Sequence, residues 1–412
     1  MTSVRNTRPR QAVILAGGRG ERLRPLSDTV PKHMTPVAGR PFLRHLVEQL
    51  RDAGFERFLV LLGYMPEPAI DYFGDGSRLG VRVDYCATPP EWRTARRLKQ
   101  AMGRMDPVIG LFYCDNYAPL DFDAVWRAWA KQGAPARVAV YSNEDGYSTN
   151  NVRVERDARV SAYDKSRGAE GLNGVEIGYY LLRRDLIEAM PALDAPFETL
   201  LLPELAQSGR LSAHWTHHRY YGVGSIERLE RTRRFFEAGP AILISRDGVL
   251  GEPPAGGERG PAPGGWRWKP GSLEALRMLR SAGYKVISLA PGGGPGRMDP
   301  DAAARLHASI QSQALRAGGE IAAIHHCSHH WKDGCSCRAP EPGLLFQAQR
   351  EHDLDLTKTI FVGAGVAGAE AAERAGCVFE LASGEAPLLS AVRSRILGME
   401  LPEMEFACTA AS

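Results

Sequence analysis

The chain has 412 residues, enough for two or three domains that each bury a core, and its 44% hydrophobic and 24% charged residues are the balance of a globular protein, not a disordered one. Lys+Arg 51 against Asp+Glu 48 leaves a net charge of +3, without the basic surplus that neutralises a polyphosphate backbone, so nucleic acid is excluded as a partner. No apolar stretch reaches membrane-spanning length and the opening MTSVRNTRPR has no apolar signal core, so the expectation is a cytoplasmic chain with no membrane contact.

In chain order, QAVILAGGRG reads as a buried strand (13–16) entering a glycine loop, followed by helical apolar spacing over 41–53. Strand-like runs at 57–64, 81–86, 107–115 and 136–142 then alternate with helical segments at 92–102 and 123–132, the rhythm of a largely parallel α/β sheet. The pattern restarts after Gly239 with AILIS (241–245), a Gly/Pro-rich stretch (251–265) and a helix over 272–283. Strands at 285–290, 320–326 and 359–363 and helices at 301–317 and 343–352 complete a second α/β unit, which places a domain boundary near 239. Of the 51 basic residues only 8 are Lys, so each well-placed Lys is informative.

The run LAGGRGERLRPLSDTVPKHMTPVAGRPFL joins three elements: a loop whose backbone N–H groups can approach an anion (Gly17, Gly18, Gly20), Arg22 two residues on, and the pair Pro31–Lys32. With LFYCDNY, which ends a strand at Asp115, it resembles the sugar-1-phosphate nucleotidyltransferase family over roughly residues 10–236. The resemblance implies a Rossmann-like (GT-A-like) domain in which a sugar phosphate oxygen attacks the α-phosphorus of a nucleoside triphosphate and pyrophosphate departs. It implies Arg22 and Lys32 against the phosphates, Asp115 holding Mg²⁺, and Gly17, Gly18, Gly20 and Thr94 against the nucleotide. Asn151 in NNVRVE, Lys165 in AYDKSRG, and Glu176 and Gly178 in LNGVEIGYYLL fall at that family's sugar-phosphate stations, each with a solvated strand-end role as the alternative. Such a site needs cations and a metal more than a general base, because the attacking phosphate is already ionised.

Two positions depart from the family. Where a Gly/Thr-rich turn usually covers base and sugar, this chain reads PPEWRTARRLKQ, which puts Arg93, Arg96 and Arg97 at or beside those positions; the arginines lie on the solvated face of the next helix or else make an added ligand contact. Gly222 stands where a second metal-binding Asp is common, two residues before Gly224.

In the second unit ISRDGVL ends a strand, and with KPGSLEALRMLRSAGYKVIS, HHCSHHWKDGCSCRAPEPGLLFQA and FVGAGVAGAEAAERAGC it resembles the heptose-1,7-bisphosphate and histidinol-phosphate branch of haloacid-dehalogenase-type phosphatases over about 241–380. That chemistry needs a carboxylate nucleophile, a second Asp, a Lys and acidic Mg²⁺ ligands. Only the second Asp is kept, as Asp247. Ser245 takes the nucleophile position, Ala339 that of the Lys, Ala364 and Gly368 those of the metal aspartates, and Leu289, Ala290 and Pro291 replace the polar motif. Cys327-x-His329 and Cys335-x-Cys337 offer four soft ligands suited to a structural Zn²⁺, with unmetallated surface cysteines the alternative and His325, His326 and His330 as bystanders. Three Cys within eleven residues suit a metal better than disulfides.

Together these readings predict an α/β chain of two domains, 1–239 and 240–412, the second a Rossmannoid haloacid-dehalogenase-like domain with a zinc loop. The expected activity is Mg²⁺-dependent nucleotidyl transfer to a sugar 1-phosphate, heptose 1-phosphate favoured, beside a catalytically dead phosphatase-like domain. The alternatives are a non-catalytic pseudoenzyme binding a sugar nucleotide or partner, a bifunctional phosphatase/nucleotidyltransferase with unusual residues, and a different transfer with Asp115 as sole metal carboxylate. A homo-oligomer or a pathway-enzyme partner is compatible with all of them.

Overall fold

A computed structural model describes residues 8–252, 265–290, 300–330 and 332–398 of the protein. Pro291 and most of the Gly/Pro-rich stretch (253–264) lie outside the described residues. The chain divides into two compact units, Met1–Glu237 and Ala238–Ser412.

The first unit is built on a seven-stranded sheet: β1 Gln11–Ala16, β2 Arg57–Leu62, β3 Arg82–Ala87, β4 Val108–Tyr113, β5 Ala136–Tyr141, β6 Val175–Arg183 and β7 Leu211–Thr216, in the order β7-β5-β6-β4-β1-β2-β3. All pairings are parallel except the two made by β6. Every residue of β1 is buried, because helices cover both faces of a central parallel strand and its sequence must be apolar throughout. The helix Phe42–Asp52 buries Phe42, Leu43, Leu46, Val47 and Leu50, the single stripe that 3.6-residue spacing produces.

Strand β6 and the helix Phe197–Gln207 carry apolar runs that period alone does not separate, and β6 is the element that makes the sheet mixed instead of uniformly parallel. Between Glu176 and Tyr180 its register slips against β5, and Gly178 sits there at φ 82°. A Cβ at Gly178 would lie 3.0 Å from the Tyr113 Cβ, so that turn of the bulge requires glycine.

The second unit has a five-stranded parallel sheet: β8 Ala241–Ser245, β9 Lys285–Ala290, β10 Ala323–His326, β11 Ile360–Gly363 and β12 Val378–Leu381, ordered β10-β9-β8-β11-β12. Ile242, Leu243 and Ile244 are fully buried at its centre, and the helices Ser272–Ser281, Pro300–Arg316, Gly343–His352 and Gly365–Ala375 connect the strands. The expected elements reappear with ends that coincide or shift by at most three residues. The largest shift is at the edge strand β10, which begins at Ala323 and not at 320. Among the described residues no helix is long and apolar enough to cross a membrane.

Candidate functional sites

In a sheet of parallel strands the loops at the carboxyl ends gather on one edge, where ligands of α/β folds bind. Leu15 of β1 is level with Tyr113 of β4, so the loops opened by Gly17 and by Asp115 leave that edge as neighbours. Gly20 adopts a left-handed conformation (φ 68°) that turns the chain into a short 3-10 segment, and Lys32 starts another. Lys32 Nζ donates to Asp115 Oδ2 at 2.8 Å. Burial alone would neutralise both groups, but their mutual attraction wins: the Asp115 carboxyl is held below its ordinary range and the Lys32 ammonium above its own. Beside them burial and the Lys32 charge push His33 down to about 3, so this fully buried ring is neutral.

Lys32, Pro90, Trp92 and Arg93 are shared by two adjoining hollows. The larger, about 560 Å³, is bounded by Arg19, Gly20, Arg22, Asp115 and Gly224. The smaller, about 230 Å³, is bounded by Gly17, Gly18, Thr94, Arg97, Lys165 and Glu198. Clustered cations beside open backbone suit a polyanion in the larger hollow.

The wall of the smaller hollow overturns one expectation. Arg97 is 2% exposed and points inward, not out from a solvated helix face. Its guanidinium donates to the carbonyls of Leu62 (2.8 Å), Pro89 (2.8 Å), Pro90 (3.2 Å) and Trp92 (3.0 Å) and to the Thr88 hydroxyl. A Cβ at Gly17 would lie 2.6 Å from Arg97 Nε, so the space that the glycine leaves open is filled by the chain's own arginine. Arg96 instead stacks over the Trp92 ring at 3.9 Å, and Arg93 faces the cleft. The helix begins at Thr94, two residues later than its apolar spacing suggests.

On the far side Lys165 pairs with Glu198, a buried carboxylate that also accepts from the Thr94 hydroxyl at 3.4 Å. Thr94 Oγ1 in turn accepts the Phe197 N–H at 2.8 Å, so Thr94 ties two helices together beside the hollow. Sequence reading missed Glu198, whose only signal is an acid in the first turn of an apolar helix. Burial raises the Glu176 carboxyl to about 7, with Glu198 adding repulsion, although it accepts from Tyr180 Oη at 2.6 Å and from the Gly178 N–H. Asn151 is buried and its Oδ1 accepts the Glu176 N–H at 2.7 Å, so it holds the backbone of that carboxylate.

Gly222 pairs with Asn116 in a two-residue antiparallel ribbon, and Val223 N–H donates to the Asp115 carbonyl at 3.0 Å. A Cβ at Gly222 would lie 2.9 Å from both the Asp115 carbonyl oxygen and Asn116 Oδ1. The ribbon has closed on glycine, so no carboxylate stands at 222 beside Asp115; Glu21 and Glu91 line other parts of the same hollow.

In the second unit Ser245, Leu289, Ala339, Ala364 and Gly368, five of the seven positions expected to be substituted, line one cavity of about 320 Å³. Asp247 faces no substituted partner: both its oxygens accept from the buried guanidinium of Arg246, at 2.8 and 2.9 Å, and Arg246 also contacts His307 Nε2 at 2.9 Å. Sequence reading passed over Arg246. The sulfurs of Cys327, Cys335 and Cys337 lie 3.1–3.5 Å apart, and His329 Nδ1 is 3.2 Å from Cys337 Sγ. Four ligand atoms within 4.8 Å of one another form a shell able to hold one metal ion.

These two constellations define a nucleotidyltransferase fold followed by a phosphatase-related one. The chain belongs to the Nucleotidyl transferase family, whose model matches residues 11–236. Over 251 residues it is 27% identical to mannose-1-phosphate guanylyltransferase of Mycobacterium tuberculosis, covering 60% of this chain and 68% of that protein. It is 28% identical over 232 residues to N-acetylmuramate alpha-1-phosphate uridylyltransferase of Neisseria meningitidis, covering 54% of this chain and 96% of that one. A separate part of the chain is homologous to D-glycero-beta-D-manno-heptose-1,7-bisphosphate 7-phosphatase of Bordetella bronchiseptica, 32% identical over 138 residues, covering 33% of this chain and 76% of that protein.

Proposed function

We propose that residues 1–239 transfer a nucleotidyl group from a nucleoside triphosphate to a sugar 1-phosphate, heptose 1-phosphate being favoured, and that residues 240–412 are a haloacid-dehalogenase-like domain without phosphatase turnover. The observation that carries the transferase reading is the Lys32–Asp115 pair at the mouth of a cleft rimmed by Arg19, Arg22 and Arg93. A sugar phosphate oxygen forms the new bond to the α-phosphorus, the bond to the bridging oxygen of the β-phosphate breaks, and that oxygen leaves with pyrophosphate. Lys32 and Arg22 would take the charge that grows on the transferring and leaving oxygens, and Lys165 would meet the sugar phosphate. The ionised carboxylate of Asp115 fits a Mg²⁺ ion, a hard cation served by one carboxylate when triphosphate oxygens complete its shell. When bound, that ion neutralises phosphate charge.

The heptose preference rests on the pairing of the two homologies, since a heptose bisphosphate that loses one phosphate becomes a substrate for nucleotidyl transfer. A separate phosphatase must then supply the 1-phosphate. In the second domain a hydroxyl replaces the nucleophile, and Arg246 occupies the remaining carboxylate. The Cys327–His329–Cys335–Cys337 shell would hold Zn²⁺ as a loop fastener.

Pyrophosphate release from purified protein, Mg²⁺, each nucleoside triphosphate and a panel of hexose and heptose 1-phosphates tests the transferase reading. Release with a heptose 1-phosphate is expected, and silence with every pair refutes the reading. A second reading, a protein that binds a sugar nucleotide without turning it over, is favoured by Arg97, which fills the space beside Gly17. It predicts saturable nucleotide binding with no pyrophosphate.

A further inference from the structure

The edge strand β10 alternates two histidines: His326 turns towards His307, with ring centroids 5.0 Å apart, and His325 turns towards the end of the helix Gly343–His352. The His325 side chain is 7% exposed, and its Nε2 lies 3.2 Å from Nε2 of His352. Glu351 brings Oε2 to 3.7 Å from the other ring nitrogen, His325 Nδ1, and one ligand atom of each of the three residues lies within 4.8 Å of the other two.

A ring-to-ring hydrogen bond would suit the first distance equally, and Glu351 Oε1 accepts from Gln347 Nε2 at 2.9 Å, so the case for an ion rests on two imidazoles and a carboxylate converging within 4.8 Å. A tetrahedral ion with metal–nitrogen bonds of about 2.0–2.1 Å separates two nitrogen ligands by about 3.3–3.4 Å, which matches the pair. The last turn of a helix also presents its carbonyls, the negative end of the dipole, to a cation held there. Two imidazoles and a carboxylate suit a borderline divalent ion such as Zn²⁺, Co²⁺ or Ni²⁺ and not the hard Mg²⁺.

We propose that His325, Glu351 and His352 form a second divalent transition-metal site, separate from the cysteine loop, that fastens β10 to the end of the helix Gly343–His352. It shares no ligand with the Cys327–His329–Cys335–Cys337 shell. With three ligands against four, one of them the 53% exposed side chain of Glu351, this site is the weaker of the two.

The test strips the full-length protein with a chelator, titrates it with Zn²⁺, and follows bound metal by elemental analysis and stability by thermal melting. Two zinc ions per chain are expected, one tight and one weaker, the weaker raising the melting temperature as it fills. His352→Ala is expected to keep one zinc and lose the later rise, Glu351→Gln to weaken that phase at least several-fold, and Cys335→Ser to weaken the tight phase alone. Cobalt loading separates them spectroscopically, because only the cysteine shell gives thiolate charge-transfer bands. One zinc or none in the wild-type chain overturns the proposal, as does a second zinc that survives in folded His352→Ala. Should His352→Ala fail to fold, His352→Asn and Glu351→Gln decide the matter by the same titration.

Discussion

The cleft of the first unit and the cavity of the second both open beside parallel strands of a sheet, yet their linings are opposite. The first places an ion pair, Lys32 with Asp115, next to three arginines. The second, on the proposed reading, places Ser245, Ala339, Ala364 and Gly368 where phosphatase chemistry asks for carboxylates and a lysine, and Leu289 in place of its polar motif. The strands behind both are equally well buried, since Val13 and Ile14 of β1 and Leu243 and Ile244 of β8 are all 0% exposed. A sheet can therefore keep its core after its edge has lost the groups that do chemistry, because burial resides in the strands and reactivity in the loops.

The comparison is broken most directly at Lys32. Lys32→Ala removes the cation that faces the transferring phosphate and leaves Asp115 unpaired, so nucleotidyl transfer is expected to fall by about 10²–10³-fold. Asp115→Asn is expected to match it and to raise the Mg²⁺ concentration needed for half-maximal rate. Steady-state kinetics following pyrophosphate check both, and a loss under tenfold for Lys32→Ala returns the first cleft to the same class as the second cavity.

Next in size is Arg97→Ala. Removing a buried guanidinium strands the carbonyls of Leu62, Pro89, Pro90 and Trp92, and a cost of about 2–4 kcal/mol is expected in urea unfolding. The same change opens the space over Gly17. Tighter nucleotide binding by the folded variant, measured by calorimetry, would identify Arg97 as a plug; unchanged binding would make it scaffold alone.

Much of this was legible in the sequence, for reasons that differ by element. The strand β1 and its glycine loop announce themselves because a fully buried parallel strand needs an unbroken apolar run and the sharp turn after it needs glycine. Asp115 and Lys32 stand out against these backgrounds, one at a strand end and the other among only eight lysines. The direction of Arg97 was not legible. An arginine in a helix reads as solvated, and only the carbonyls of Leu62, Pro89, Pro90 and Trp92 and the Thr88 hydroxyl make its burial favourable. Glu198 was silent for the same reason, since its partners Lys165 and Thr94 lie far away in sequence; Arg246 has Asp247 beside it, but His307, which it meets in the interior, is 61 residues on. Gly222 announced the missing carboxylate, but the closed ribbon that excludes any side chain there is a tertiary fact.

A smaller effect is expected from pH. Glu176 has its folded-state pKa raised to about 7 by burial, so its contribution to stability is present below its unfolded value and is lost as pH rises through about 7. Wild-type melting temperature should therefore fall relative to Glu176→Gln between about pH 5 and pH 8. Sugar-phosphate affinity should weaken a few-fold over the upper part of that range, as a negative charge appears beside the bound phosphate. A melting-temperature difference between wild type and Glu176→Gln that stays constant with pH would place the carboxyl in its ordinary range.

The smallest expected effect is in the second cavity, and it sharpens the contrast best. Ser245→Asp restores one carboxylate at the end of β8, but the Lys position remains Ala339, the metal positions remain Ala364 and Gly368, and Asp247 stays held by Arg246. A nucleophile without charge balance, metal or a free acid gains nothing, so phosphate release from heptose bisphosphate should stay at background. Transfer by the first unit should be unchanged as well. Turnover in Ser245→Asp, or turnover in the wild type that Ser245→Ala abolishes, would mean that the cavity still assembles a metal site from other groups, and the two linings would differ in substrate and not in competence.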